Sequence, residues 1–178
     1  MMELKTECLP AGVLGFKACK FKAKEWDPTK YRKETKNDEE WSGFYVGSTE
    51  TLILGYMPDC TDKQGNGTAY LNIVDINTPA RIIVCSDERF KSPTQDKPAL
   101  LKELKEALRK IGIPVADSDF LIPTLARYRF YFKCYNNEDS NDMEIIIPND
   151  LVDNVMLQSY KQQNFINGVG QSLVNYGK

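Results

Sequence analysis

The sequence predicts an α+β fold built on a mainly antiparallel sheet. Three observations carry this. Strand-forming stretches outnumber helical ones, strands and helices do not alternate as the repeated β-α-β units of a parallel sheet, and the late strands are joined through a short polar stretch that suits a hairpin. The length of 178 residues fits a single domain over 1–178. A chain of this size buries roughly 70% of its unfolded surface and needs no disulfide or metal staple.

In chain order, residues 43–46 read as a short strand. A helix is expected over 49–56, with Ser48 as its N-cap. The strongest strand covers 68–76 and is entered from the turn sequence Gly65-Asn66-Gly67; Ala80–Cys85 comes next. The clearest helix is 98–111, where Leu101, Leu104, Leu108 and Ile111 recur at helical spacing with lysines and glutamates opposite. Asp96 can cap it, Pro98 suits its first turn, and Gly112 with Pro114 beyond it ends it. Residues 127–135 read as a strand, with Tyr128, Phe130 and Phe132 on one face and Arg127, Arg129, Tyr131 and Lys133 on the other. After the polar stretch 136–142 comes the strand Met143–Ile147, halted by Pro148. A helix from Asp150 is expected over 150–160, and no element is assigned after Asn164.

Composition narrows the chemistry. The chain has no histidine, which removes Ser-His-Asp and Cys-His hydrolases, His-ligated metal sites and any imidazole base. A catalyst here must use carboxylates, Lys, Tyr or Cys. The net charge of −2 argues against a duplex nucleic-acid partner. The cysteines at 8, 19, 60, 85 and 134 are odd in number and form no C-x-x-C pair, so they read as free thiols in a reducing compartment, with no metal site. No N-terminal stretch has signal-peptide character and no run is long enough to span a membrane, so a soluble chain without a cleavable signal is expected. Neither a Rossmann glycine fingerprint nor a P-loop is present.

Charge is uneven. Eight basic residues and three acids lie between Lys17 and Lys36, interleaved with Trp26 and Tyr31. The plainer reading is a solvated surface; the sharper one is a basic lip over a pocket for an anion.

One constellation stands out. Trp41-Ser42-Gly43-Phe44-Tyr45 is followed, eleven residues after Tyr45, by Tyr56 preceded by Gly55. A tyrosine leaving a strand and a tyrosine closing the next helix can face each other across a slot suited to a flat heteroaromatic ring. This set resembles the nicotinamide-binding signature of the diphtheria toxin and exotoxin A class of mono-ADP-ribosyltransferases. The polar loop after Tyr56 and the long strand 68–76 continue the likeness.

The resemblance implies an ADP-ribosyltransferase-like split antiparallel β-sandwich with flanking helices and NAD as substrate. It implies that Tyr45 and Tyr56 clamp nicotinamide, with Trp41 and Phe44 in the same binding signature. It places Glu144, on the last-named strand, as the catalytic carboxylate, with Glu138 as competitor and Asp142 at the spot of a second acidic or amide group in arginine-modifying relatives. It sets Phe16-Lys17-Ala18-Cys19 against the family's Tyr-His-Gly-Thr strand. Ala18 main chain then faces the carboxamide, and Lys17, in the histidine position, contacts ribose or phosphate. Arg127 and Arg129 are further candidates for the cleft. The expected partners of this monomer are NAD and a target protein, with neither nucleic acid nor membrane. The expected setting is a bacterial toxin or effector exported by dedicated machinery to a host cytoplasm. NAD glycohydrolysis and a catalytically silent binding module of the same fold are the alternatives.

Overall fold

The computed structural model describes residues 2–91, 97–135 and 142–177. The chain opens with strands β1 (Leu4–Leu9) and β2 (Gly12–Cys19), then helix α1 (Pro28–Glu34), strand β3 (Phe44–Gly47) and helix α2 (Glu50–Leu54). Strands β4 (Gly67–Ile76) and β5 (Ala80–Cys85) lead to helices α3 (Lys97–Lys110) and α4 (Leu121–Arg127). Strands β6 (Phe130–Tyr135), β7 (Met143–Ile147), β8 (Val155–Ile166), β9 (Val169–Gly170) and β10 (Val174–Asn175) complete the order. The class is α+β, as expected.

The ten described strands belong to one sheet, ordered β1-β5-β6-β7-β3-β2-β4-β8-β10, with β9 also on β8. Among the described residues only β5 and β6 run parallel, because α3 and α4 carry the chain across between them. Helix α3 buries Leu100, Leu104 and Leu108, and α4 buries Leu121, Ile122 and Leu125, against Ile83, Phe132 and Ile146 of the sheet. On the opposite face Phe44, Val74, Ile82, Ile145 and Ile147 form a second core, covered by Trp26 and Tyr31 from the basic segment. The central strands therefore carry apolar residues on both faces.

The sheet has one weak join. Strands β2 and β3 pair at Phe16↔Gly47 alone, whereas β4 pairs with β8 along its whole length. Close approach at the join requires glycine: a Cβ on Gly15 would collide with the Gly47 carbonyl, and one on Gly47 with the Ile53 side chain.

Several expectations are corrected. The helix expected over 49–56 is shorter, and its N-cap is Thr49, whose Oγ1 accepts from the Leu52 N–H, rather than Ser48. The strand expected over 127–135 starts at Phe130: Arg127 closes α4, and Arg129 turns the chain with φ +61°. The helix expected over 150–160 is a 3₁₀ turn (Asn149–Asn154) followed by β8, because the length of β4 offers ten residues of backbone pairing to Val155–Ile166. Strand β1 and helix α1 lie where the sequence predicts no element; Asp27 caps α1 by accepting from Thr29 and Lys30 N–H. Helix α3 matches its expected span within a residue, but Ile111 is 44% exposed rather than in the core. Asp96, Glu138 and residues 136–141 of the expected hairpin loop lie outside the described residues.

Candidate active site

Continued past Phe16↔Gly47, the antiparallel ladder would set Lys17 opposite Val46 and Ala18 opposite Tyr45. Those pairs do not form. A cavity of about 280 Å³ lies there instead, lined by Lys17 and Ala18 of β2, Tyr45 of β3 and Glu144 of β7. Ile53 of α2, and Tyr56, Asp59 and Cys60 after it, close the other side. Five residues singled out in the sequence thus share one cavity: Lys17, Ala18, Tyr45, Tyr56 and Glu144.

Four segments hold them, Lys17 and Ala18 sharing β2. Glu144 stands opposite Gly47 on one side and Cys134 on the other, and is 3% exposed, so it is not a solvated strand edge. Tyr45 is half-buried and packs against the α3 core, and its O–H donates to the Trp41 carbonyl. Tyr56 packs with Ile53, Met57 and Leu71 and starts a 3₁₀ turn (Met57–Cys60). Lys17 Nζ donates to the Tyr45 carbonyl at 3.0 Å and lies 4.3 Å from the centre of the Phe44 ring. Behind β2, the fully buried Asn72 donates from Nδ2 to the Lys17 carbonyl at 3.3 Å and accepts from Ser159 Oγ, which in turn accepts from the Ala23 N–H. That chain of bonds fixes the main chain on the β4 side of the cavity.

Burial pushes the Lys17 ammonium below its ordinary value; Cys19, Cys60 and the Glu144 carboxylate pull the other way. Burial raises the Tyr45 phenol, with Cys134 and Glu144 adding to it. Burial also raises the Cys60 thiol, against the pull of Lys17, so Cys60 does not present a ready thiolate.

Two members of the aromatic signature stand behind the cavity. Trp41 stacks edge-on to Phe90 and tilted against Phe132, and reaches the site only through its carbonyl on Tyr45. Phe44 is buried on the opposite face beneath Lys17. Arg127 and Arg129 line different cavities, at the far end of β6. Asp142 accepts from Thr49 Oγ1 at 3.1 Å and so ties β7 to the α2 cap. The basic segment supplies Lys17 to the cavity, while its remainder forms β2's end and α1. Sequence reasoning missed Ile53, Asp59 and Cys60; the signal was Pro58, which favours a tight turn directly after Tyr56 and so folds Asp59 and Cys60 back beside it.

No protein-family model matches the chain, and no curated protein matches it.

Proposed function

We propose that this cavity binds the nicotinamide end of NAD and that the protein is a mono-ADP-ribosyltransferase, moving ADP-ribose from NAD to an acceptor protein with release of nicotinamide. The observation that carries the reading is convergence. Five residues that the resemblance assigns to NAD, drawn from β2, β3, β7 and the turn after α2, line one cavity. The ten described strands form one sheet, and its weak β2–β3 join is where the resemblance would divide it into two.

The residues fit the group. Tyr45 and Tyr56 offer ring surfaces to a flat heterocycle, and Ala18 offers main-chain groups to its carboxamide. Lys17 has three donors and spends one on the Tyr45 carbonyl, leaving two for a ribose hydroxyl or a phosphate oxygen. Glu144 is a buried carboxylate in the lining, and in this reading it stabilises the ribosyl carbon as that becomes positive, an attraction that burial strengthens. NAD supplies a C–N bond to a leaving group that departs neutral, so the missing histidine costs the reaction no acid. The acceptor approaches from the other face of the sugar.

The test is incubation with NAD labelled in its adenosine half and a eukaryotic cell lysate. A labelled protein band, lost by about 10²–10³-fold in Glu144→Gln while NAD still raises the melting temperature, is the expected result. Free ADP-ribose with no labelled protein assigns the glycohydrolase reaction instead. Absence of both nicotinamide release and an NAD-induced thermal shift overturns the reading.

A further inference from the structure

A second concentration of chemistry lies at the opposite end of β6 from Glu144. Phe130 begins that strand and Cys134, the ladder partner of Glu144, lies four residues on, about 13 Å away. At the Phe130 end a cavity of about 440 Å³ is lined by Arg81, Arg127 and Arg129 together with Ile111, Tyr128 and Phe130. Among the described residues every charged member of its lining is an arginine.

The three arginines are held differently. Arg81 donates from Nη2 to the Tyr128 carbonyl at 2.6 Å and stacks 4.3 Å from the centre of the Phe130 ring, so its guanidinium is fixed. Arg127 and Arg129 have neither a side-chain hydrogen bond nor an ion pair among the described residues, which leaves their guanidinium donors available. Arg129 is also in a costly conformation. It comes directly after the C-cap of α4 with φ +61°, a position where glycine is the relaxed choice. The two acids of the adjoining cavity, which shares Arg81 and Arg129, are engaged elsewhere: Asp153 pairs with Arg32 at 3.1 Å and Asp150 accepts from Asn37 at 3.3 Å.

We propose that this cavity binds a small phosphate monoester through Arg81, Arg127 and Arg129, with the apolar body of the ligand against Ile111, Tyr128 and Phe130. The planar guanidinium matches phosphate oxygens in pairs, and a dianion, unlike a single carboxylate, balances more than one of the three cations. The half-exposed Ile111 and the two rings give the cavity an apolar wall that inorganic phosphate alone would leave bare. This site is independent of the Glu144 cavity and of the reaction proposed for it.

The experiment is calorimetric titration of the full chain with 1-naphthyl phosphate, with inorganic phosphate, 1-naphthol and phosphatidylserine–phosphatidylcholine vesicles as separate arms. Saturable binding of 1-naphthyl phosphate is expected, tighter than that of either inorganic phosphate or naphthol. Arg127→Gln and Arg129→Gly should each weaken it at least about tenfold, the loss of a charged hydrogen bond. Arg129→Gly relieves the backbone, so a melting temperature at or above the parent's shows that the fold is intact while the affinity falls. Unchanged affinity in Arg129→Gly, equal binding of naphthol, or binding to vesicles alone overturns the proposal.

Discussion

Lys17 reaches Tyr45 across the break in the sheet: its Nζ donates to the Tyr45 carbonyl at 3.0 Å. A side-chain ammonium does there what a backbone N–H would have done had the ladder run on. The strands are held together beyond their single pair, and a cavity takes the place of the missing pairs.

The ammonium can be tracked by pH. Burial lowers the Lys17 value, while the unfolded chain keeps that proton up to about pH 10.4. Between the folded value and about 10.4 the unfolded state binds more protons, so this residue makes stability rise with pH. The stability of the parent relative to Lys17→Met should therefore increase through that window, measured by urea unfolding at stepped pH. Parallel profiles for the two proteins would show that the buried amine does not titrate early.

Gly15→Ala should cost about 1–3 kcal/mol, because its methyl meets the Gly47 carbonyl at the only pair joining β2 to β3. Thermal melting of the variant measures it. Gly12→Ala, where nothing lies within 4 Å but φ is +126°, separates backbone strain from collision. On the proposed reading NAD affinity should fall in Gly15→Ala more than in Gly12→Ala: both glycines lie on β2, but Gly15 stands beside the β2–β3 join, two residues from Lys17, whereas Gly12 is at the far end of the strand, beyond the bulge between Val13 and Gly15.

Tyr45→Phe removes the O–H that holds the Trp41 carbonyl and keeps the ring. The expected loss is about 1 kcal/mol of stability, with NAD affinity within tenfold of the parent. Tyr45→Ala should lose more than tenfold in affinity by calorimetry. Equal affinity in Phe and Ala variants would mean that the ring does not touch the ligand.

Lys105 is 2% exposed and pairs with Glu40 at 2.9 Å, while also donating to the Asp117 and Asp119 carbonyls. Glu40 accepts in turn from the Leu121 N–H at 2.7 Å, so the pair joins α3 to the start of α4. Glu40→Ala should cost about 3–5 kcal/mol by leaving a buried cation unpaired. Adding Lys105→Met should recover part of that loss in denaturant midpoint; no recovery would show that Glu40 acts mainly through Leu121.

The α+β class and the helix α3 are legible in the sequence because they rest on local periodicity and on the order of elements along the chain. Lys105 shows the limit: it stands four residues after Leu101, on the apolar side of α3 where a lysine is out of place, and only the fold brings to it the Glu40 carboxylate and two carbonyls that satisfy it. Strand β8 reads as helix in the sequence because its pairing with β4 is a long-range interaction that residues 150–160 do not announce. In the cavity, Tyr45 and Tyr56 stand out by their spacing, which depends on strand and helix lengths, while Lys17, Ala18 and Glu144 are legible only through the family resemblance. Asp59 and Cys60 are not, because the turn that presents them depends on Pro58 and on packing of Met57 in the core.

The single β2–β3 pair has a mechanical consequence. A sheet resists bending in proportion to the rungs that cross it, and along this line there is one backbone rung and one lysine. The central sheet should therefore flex most readily along the line of the cavity, changing its width without melting either flanking ladder. Amide exchange should accordingly be fast for Lys17 to Cys19 groups that face the gap and slow along β4 and β8, a stiffness gradient that runs outward from the place where ligand would enter.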